Sequence, residues 1–180
     1  VVHGQDALQF DFSSLAAPLR VVGNLPYNIS TPLLFHLLTF TDHIEDMLFM
    51  LQNEVVDRIC AKHGSKTYGR LSVMMQYFCE VEKCFLVPPE AFRPAPKVDS
   101  AIIRLTPHKT KPHVLDADVS NKDFETLLRT AFSQRRKTLR NNLKNDVDTK
   151  TLDALDFDLS LRPEMFSVAD FVALANALNK

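Results

Sequence analysis

The chain predicts an α/β fold over residues 1–107, a sheet covered by helices, followed by a small all-helical domain over residues 114–180. Three observations carry this expectation. Short β-branched runs alternate with helical apolar stripes through the first part of the chain. The polar, proline-containing stretch Pro107-His108-Lys109-Thr110-Lys111-Pro112-His113 reads as a linker. Beyond it the apolar residues recur only at helical spacing.

Taken in order, Val1-Val2-His3 reads as the end of a strand, and Leu19-Arg20-Val21-Val22-Gly23 as a full strand that stops at its glycine. Thr31 as N-cap and Pro32 at the first helical position predict a helix over about 31–40, with Leu33, Leu34, Leu37 and Leu38 on one face. Met47 to Leu51 is a continuous apolar run, as expected of a strand buried on both faces. Asn53-Glu54-Val55-Val56 opens a helix reaching about Ala61, and the polar stretch 61–67 reads as an exposed loop. A helix over about 70–78 and a strand over about 83–88 follow, the strand ended by Pro88-Pro89. Pro94 and Pro96 hold the next loop extended, and 98–106 alternates as a closing strand. In the helical part, Ser120 and Asp123 form a capping-box pattern ahead of the stripe Phe124, Leu127, Leu128, Ala131 and Phe132. Leu139 and Leu143 support a second helix, and Ser167 opens a last one bearing Phe171, Leu174, Ala175 and Leu178.

The bulk numbers narrow the function. A composition of 46% hydrophobic and 24% charged residues is ordinary for a globular protein. No apolar run approaches the ~18 residues of a membrane span, and the first residues are not a signal or transit sequence. No membrane association and a cytoplasmic location are expected. Cys60, Cys79 and Cys84 lack paired metal spacing and read as core thiols, and the histidines show no ligand pattern, so no metal is expected. The formal net charge of −1 excludes a generic polyanion binder. It hides a segregation, however. Arg129, Arg135, Arg136, Lys137, Arg140 and Lys144 follow one another without an acidic residue between them, and Asp146, Asp148, Asp153, Asp156 and Asp158 cluster afterwards.

The chemistry concentrates in Asn24-Leu25-Pro26-Tyr27, directly after the first full strand and before the first helix. The carboxyl end of a strand is where open α/β sheets place ligands. An amide oxygen and a fixed carbonyl can accept both hydrogens of an exocyclic amine, and a tyrosine ring can stack on the base that carries it. That set suits methylation of the N6 amine of adenine. As a bare tetrapeptide it also suits a simple strand-to-helix turn, with Asn24 bonded to its own backbone.

Four stretches decide between the two. Gly23-Asn24-Leu25-Pro26-Tyr27-Asn28-Ile29-Ser30 resembles the target-base loop of the ribosomal RNA adenine N6-dimethyltransferases of the KsgA type. Tyr68-Gly69-Arg70-Leu71-Ser72-Val73, then Phe92-Arg93-Pro94-Ala95-Pro96-Lys97-Val98-Asp99-Ser100, then Gln134-Arg135-Arg136-Lys137-Thr138-Leu139-Arg140 are similar to the same family, in the same order. The resemblance runs from the first residues to the last helix. It implies that residues 1–107 are the C-terminal part of a Rossmann-like class I methyltransferase sheet, an incomplete catalytic domain lacking its first strands and glycine-rich cofactor turn. It also implies that residues 114–180 are a helical RNA-binding domain.

By the same resemblance, Asn24, Leu25, Pro26 and Tyr27 hold the target adenine, and Phe92 covers its other face. Asp6, Ala7 and Asn24 face S-adenosyl-L-methionine, whose binding is expected to be weak in this chain for want of the glycine turn, leaving the chain itself inactive. Arg70, Lys97, Arg135, Arg136, Lys137 and Arg140 contact RNA. The implied reaction is N6-dimethylation of two adjacent adenosines in a 3′-terminal hairpin loop of 16S rRNA in the small ribosomal subunit, coupled to subunit maturation. The alternatives are a large-subunit rRNA adenine methyltransferase conferring antibiotic resistance, and a non-catalytic RNA-binding assembly factor. DNA is not an expected partner, since no segment suits the reading of base edges.

Overall fold

A computed structural model of the chain describes residues 1–179. They divide into two compact units, Val1–Cys60 with Phe78–Thr110, and Ala61–Tyr77 with the chain from Lys111 onward. The last of the three breaks, between Thr110 and Lys111, falls inside the linker read from the sequence. The grouping of 61–77 with the later helices is a long-range feature that chain order does not reveal.

The first unit is built on a four-stranded sheet: β1 (Leu19–Asn24), β2 (Ile44–Gln52), β3 (Cys79–Val87) and β4 (Ser100–Pro107), in the order β1-β2-β4-β3. β1 and β2 are parallel, and helix α1 (Ser30–Leu38) supplies the crossover that a parallel pair requires. The β2–β4 and β4–β3 pairs are antiparallel. Met47, Phe49 and Leu51 of β2 stand opposite Leu105, Ile103 and Ala101 of β4, and all six are buried. Helix α2 (Asn53–Ile59) packs over β2, β3 and β4 and buries Val56 and Ile59. Leu33, Leu34, Leu37 and Leu38 form the buried face of α1, as their spacing predicts.

Several elements differ from expectation. Residues 1–3 form no strand. β2 is not buried on both faces: it alternates, with Leu48 and Met50 half-buried on the side where Val22 of β1 is 75% exposed. β3 begins at Cys79, before the expected 83, because Glu80 and Glu82 belong to an edge strand, where charges are tolerated, and Glu82 pairs with Arg104 of β4 (3.4 Å). α1 starts at Ser30, one residue before Thr31 would have capped it; Ile29 occupies the N-cap with no side-chain hydrogen bond. Pro32 is therefore the third helical residue. Its missing N–H costs nothing there, because the first four helical amides lack intrahelical acceptors.

The described part of the second unit contains helices and no strand: α3 (Arg70–Phe78), α4 (Asn121–Ala131), α5 (Leu139–Leu143), α6 (Thr149–Ala154) and α7 (Val168–Leu178). Ser120 and Asp123 close a capping box on α4, and Ser167 and Asp170 close one on α7. Phe124, Leu128, Ala131, Phe171, Leu174 and Ala175 are buried, joined by Leu139 and Leu143 of α5. α6 was not read from the sequence, although Asp148 caps it by accepting from the Lys150 and Thr151 amides. Among the described residues, no helix is long and apolar enough to cross a membrane.

Candidate active site

β1 delivers Asn24 as its last residue, in register with Met50 of β2. The next residue stays on the ladder: the Leu25 N–H donates to the Met50 carbonyl (3.3 Å), and the Leu25 side chain is buried. The chain then turns at once. The Ile29 N–H donates to the Pro26 carbonyl (3.2 Å), and the Ser30 hydroxyl donates to the Tyr27 carbonyl (3.1 Å), so the loop is closed onto the first turn of α1. Tyr27 is left 46% exposed. The Asn24 side chain is exposed and bonds to no described residue. Its oxygen is therefore not consumed by the turn, as a purely structural asparagine's would be.

A cleft of about 310 Å³ opens at this loop, within the range of small-ligand sites. Asn24, Leu25, Pro26 and Tyr27 line it together with Phe92, Pro94 and Pro96, and β2 and β4 contribute Met50 and Ser100. The loop carrying Phe92 follows a short 3-10 turn at Pro89–Ala91, and the Phe92 N–H donates back to the Pro89 carbonyl (3.1 Å). The Arg93–Pro94 peptide is cis. The five candidate catalytic positions thus share one cavity. Met50 and Ser100 were not foreseen, since nothing marks them before strand pairing is known. Lys97 is exposed on the same proline-rich loop.

Asp6 and Ala7 do not line this cleft. Asp6 heads a tight turn: one carboxylate oxygen accepts the Leu8 N–H (2.9 Å), and its carbonyl accepts the Gln9 N–H (3.0 Å). The second carboxylate oxygen remains available as an acceptor beside the half-buried Ala7. A free carboxylate oxygen there can accept from an exocyclic amine, which fits the adenine end of S-adenosylmethionine. The segment is fastened to α1, where a His36 ring nitrogen lies 2.8 Å from the Phe10 carbonyl and the Phe12 ring lies 5.9 Å from the imidazole.

The remaining basic candidates lie in the second unit. Arg70 is paired with Glu125 (2.6 Å), and Arg140 with Asp153 (2.5 Å). The Arg135 guanidinium donates to the Lys66 carbonyl. Arg136 and Lys137 are exposed. The turn that carries them is held from beneath by buried Asn142, whose amide donates to the Ala131 and Gln134 carbonyls (2.5 and 3.3 Å). Thiolate chemistry does not suit Cys60 or Cys79. Burial pushes the Cys79 thiol up to about 12 and raises the Cys60 thiol as well, so neither is a thiolate near neutral pH. Cys60 and Cys84 are half-buried rather than core residues.

The family model for ribosomal RNA adenine dimethylase matches residues 1–180. The chain is 58% identical over 182 residues to the ribosomal RNA small subunit methyltransferase A of Marinomonas sp. (strain MWYL1), covering 99% of this chain and 67% of the relative. It is 59% identical over 181 residues to the protein of the same name from Saccharophagus degradans, covering 98% of this chain and 66% of that relative. The chain thus spans about two thirds of the length of these relatives. A crystal structure of a dimethyladenosine transferase from Plasmodium falciparum superposes with a TM-score of 0.75 at 26% identity, covering 96% of this chain and 70% of that one. The sheet is that of a Rossmann-like methyltransferase, and the chain belongs to the ribosomal RNA adenine dimethylase family.

Proposed function

We propose that this chain is the target-base and RNA-binding part of an enzyme that dimethylates the N6 amine of two adjacent adenosines in a 3′-terminal hairpin loop of 16S rRNA, during small-subunit maturation. The observation that carries the reading is the single cleft shared by Asn24, Leu25, Tyr27 and Phe92. The names of the relatives favour the small subunit over the large one.

The adenine N6 lone pair is delocalised into the ring and is a weak nucleophile. Asn24 Oδ1 and the Leu25 carbonyl accept its two hydrogens and favour the pyramidal amine that forms during attack, an electrostatic effect aimed at developing positive charge. Pro26 fixes the loop between them. Tyr27 and Phe92 cover the two faces of the extruded base. Unstacking costs a few kcal/mol, and aromatic contact returns about 1–3 kcal/mol per base. The amine loses its proton after attack, so no strong base is needed in the cleft. S-adenosylmethionine, when bound, supplies the methyl group as a sulfonium. Asp6 and Ala7 hold its adenine, and the cleft loop brings the amine into line, a positioning effect. Lys97, Arg70, Arg136, Lys137 and Arg140 place the RNA through its phosphates, with Arg135 beside them.

The test is methyl transfer to a small-subunit rRNA hairpin. It is measured with this chain and with this chain joined to the part of the Marinomonas relative that it does not span. Dimethyladenosine is read by mass spectrometry. Asn24→Ala is expected to lower turnover by about 10²–10³-fold while RNA affinity is kept, and Phe92→Ala to lower it less. An Asn24→Ala protein with parental turnover overturns the assignment. RNA binding without transfer by the joined protein selects the non-catalytic assembly factor instead.

A further inference from the structure

We propose that the loop over residues 61–67 is a second phosphate-binding edge of the basic surface, with Lys62 and Lys66 as its contacts and Arg135 as the residue that positions it. The proposal rests on the reading above, that the partner is RNA. The sequence alone marks 61–67 only as a polar connection. The structure ties it into the second unit at several points. The Ala61 carbonyl accepts from Gln76 Nε2 (2.8 Å), the Gly64 N–H donates to the Glu164 carbonyl (2.6 Å), and Arg135 donates to the Lys66 carbonyl. The loop also closes on itself, with the Ser65 N–H on the Lys62 carbonyl and the Tyr68 N–H on the Ser65 carbonyl, both at 3.3 Å. Gly64 makes the bend at φ +82°, a conformation that side-chain-bearing residues rarely adopt.

These ties bring the loop that bears exposed Lys62 and Lys66 against Arg135, the sequence neighbour of exposed Arg136 and Lys137, and against Glu164, with exposed Arg162 just ahead of it. The loop itself contains no acidic residue. The carboxylates in the neighbouring segment are Asp158, whose Oδ1 accepts from the Ser160 N–H and hydroxyl, and Glu164. Arg135 has a structural duty in this arrangement. A planar fork with five donors can cap a main-chain carbonyl and still present other N–H groups, whereas a lysine ammonium at that place would be a single point charge. The surface is therefore two short basic edges laced together, a shape suited to the phosphate backbone of a hairpin, where contacts orient the RNA without reading its bases.

The experiment is the salt dependence of binding a short hairpin RNA to the 180-residue chain, followed by fluorescence anisotropy across a potassium chloride series. The parent is compared with Lys62→Ala/Lys66→Ala, with Arg136→Ala/Lys137→Ala, and with Gly64→Ala. Removing two phosphate contacts is expected to reduce the steepness of the fall of log K with log salt by about 1.4–1.8, with the thermal midpoint unchanged. Gly64→Ala, which keeps every charge but strains the bend, is expected to weaken binding in the same direction. An unchanged slope for Lys62→Ala/Lys66→Ala, together with a lowered one for Arg136→Ala/Lys137→Ala, overturns the loop's role and leaves the RNA reading intact. Unchanged slopes for both pairs overturn the two together. Stronger binding of polyglutamate than of RNA by the parent assigns the surface to an acidic protein and also overturns the proposal.

Discussion

Gly23 and Leu25 approach so closely that a Cβ on the glycine would stand 2.9 Å from Leu25 Cδ2 and 3.6 Å from the Phe49 ring. Leu25 is buried, and its neighbours Asn24 and Pro26 line the cleft. The constraint on Gly23 is thus one of space, not of backbone conformation, and the atom met is the end of the Leu25 side chain. A methyl group there must push the leucine, and the leucine carries the carbonyl assigned to the target amine. Gly23→Ala is expected to cost about 1–3 kcal/mol through overpacking, and to lower turnover of the joined protein by more than this stability loss explains. Urea unfolding and turnover under fully folded conditions separate the two effects. A variant with parental turnover and reduced stability would place the contact in the core alone.

How much of this was legible before the coordinates varies with the range of the interaction. The β1 run, the capping box at Ser120 and the helix opened by Ser167 are local patterns, and each appears where the residues place it, although β1 runs one residue past Gly23, to Asn24. The start of α1 lies two residues earlier than expected, with Ile29 rather than Thr31 as N-cap and Ser30 rather than Pro32 as the first helical residue. The turn from Pro26 to Ile29 leads into the helix with Ile29 already near helical angles (φ −111°, ψ −4°), so no capping side chain is needed. The charges of β3 disguised the first part of a strand read only from 83 onward, whose Glu82 finds Arg104 only after β4 pairs with it. The meeting of Asn24 with Phe92 is non-local: resemblance to a family suggested it, and no periodicity could. The tie between Arg135 and Lys66 is of the same kind and left no trace in the sequence.

Acid should weaken the edge of the sheet nearest the cleft loop. Arg20 of β1 stands opposite Asp46 of β2 and donates to both carboxylate oxygens (2.9 and 2.6 Å). The hydrogen bond from Arg20, more than charge alone, holds the Asp46 carboxyl below its ordinary value. A depressed folded pKa means stability that is present above the unfolded value, about 3.9 for aspartate. That stability is lost as pH falls through the lower folded value. Arg20→Ala should therefore reduce the urea midpoint near neutral pH, and the gap to the parent should close as pH drops below about 4. Because Arg20 is exposed and Asp46 only half-buried, the effect is small and shrinks in high salt. A gap that stays constant from neutral pH to strong acid would show that Arg20 acts through packing instead.

Asn142 is where the helical unit is most easily broken. It is 6% exposed, and its amide nitrogen serves both the Ala131 carbonyl at the end of α4 and the Gln134 carbonyl at the start of the basic turn. Its own Oδ1 is buried without a hydrogen bond, so the side chain is kept for what it donates. Asn142→Ala strands the buried Ala131 carbonyl, while the Gln134 carbonyl keeps the Lys137 N–H (3.0 Å), and a loss of about 1–3 kcal/mol is expected. Asn142→Asp cannot donate while ionised and buries a charge. Its deficit should be larger at neutral pH and should shrink on acidification, because a protonated carboxyl regains one donor. Urea melts across pH measure both, and trypsin reports the local consequence, with faster nicking after Arg135, Arg136 and Lys137 in either variant. An Asn142→Ala protein within 0.5 kcal/mol of the parent, about the size of an ordinary surface change, and with unchanged nicking would mean that the turn is held by its neighbours alone.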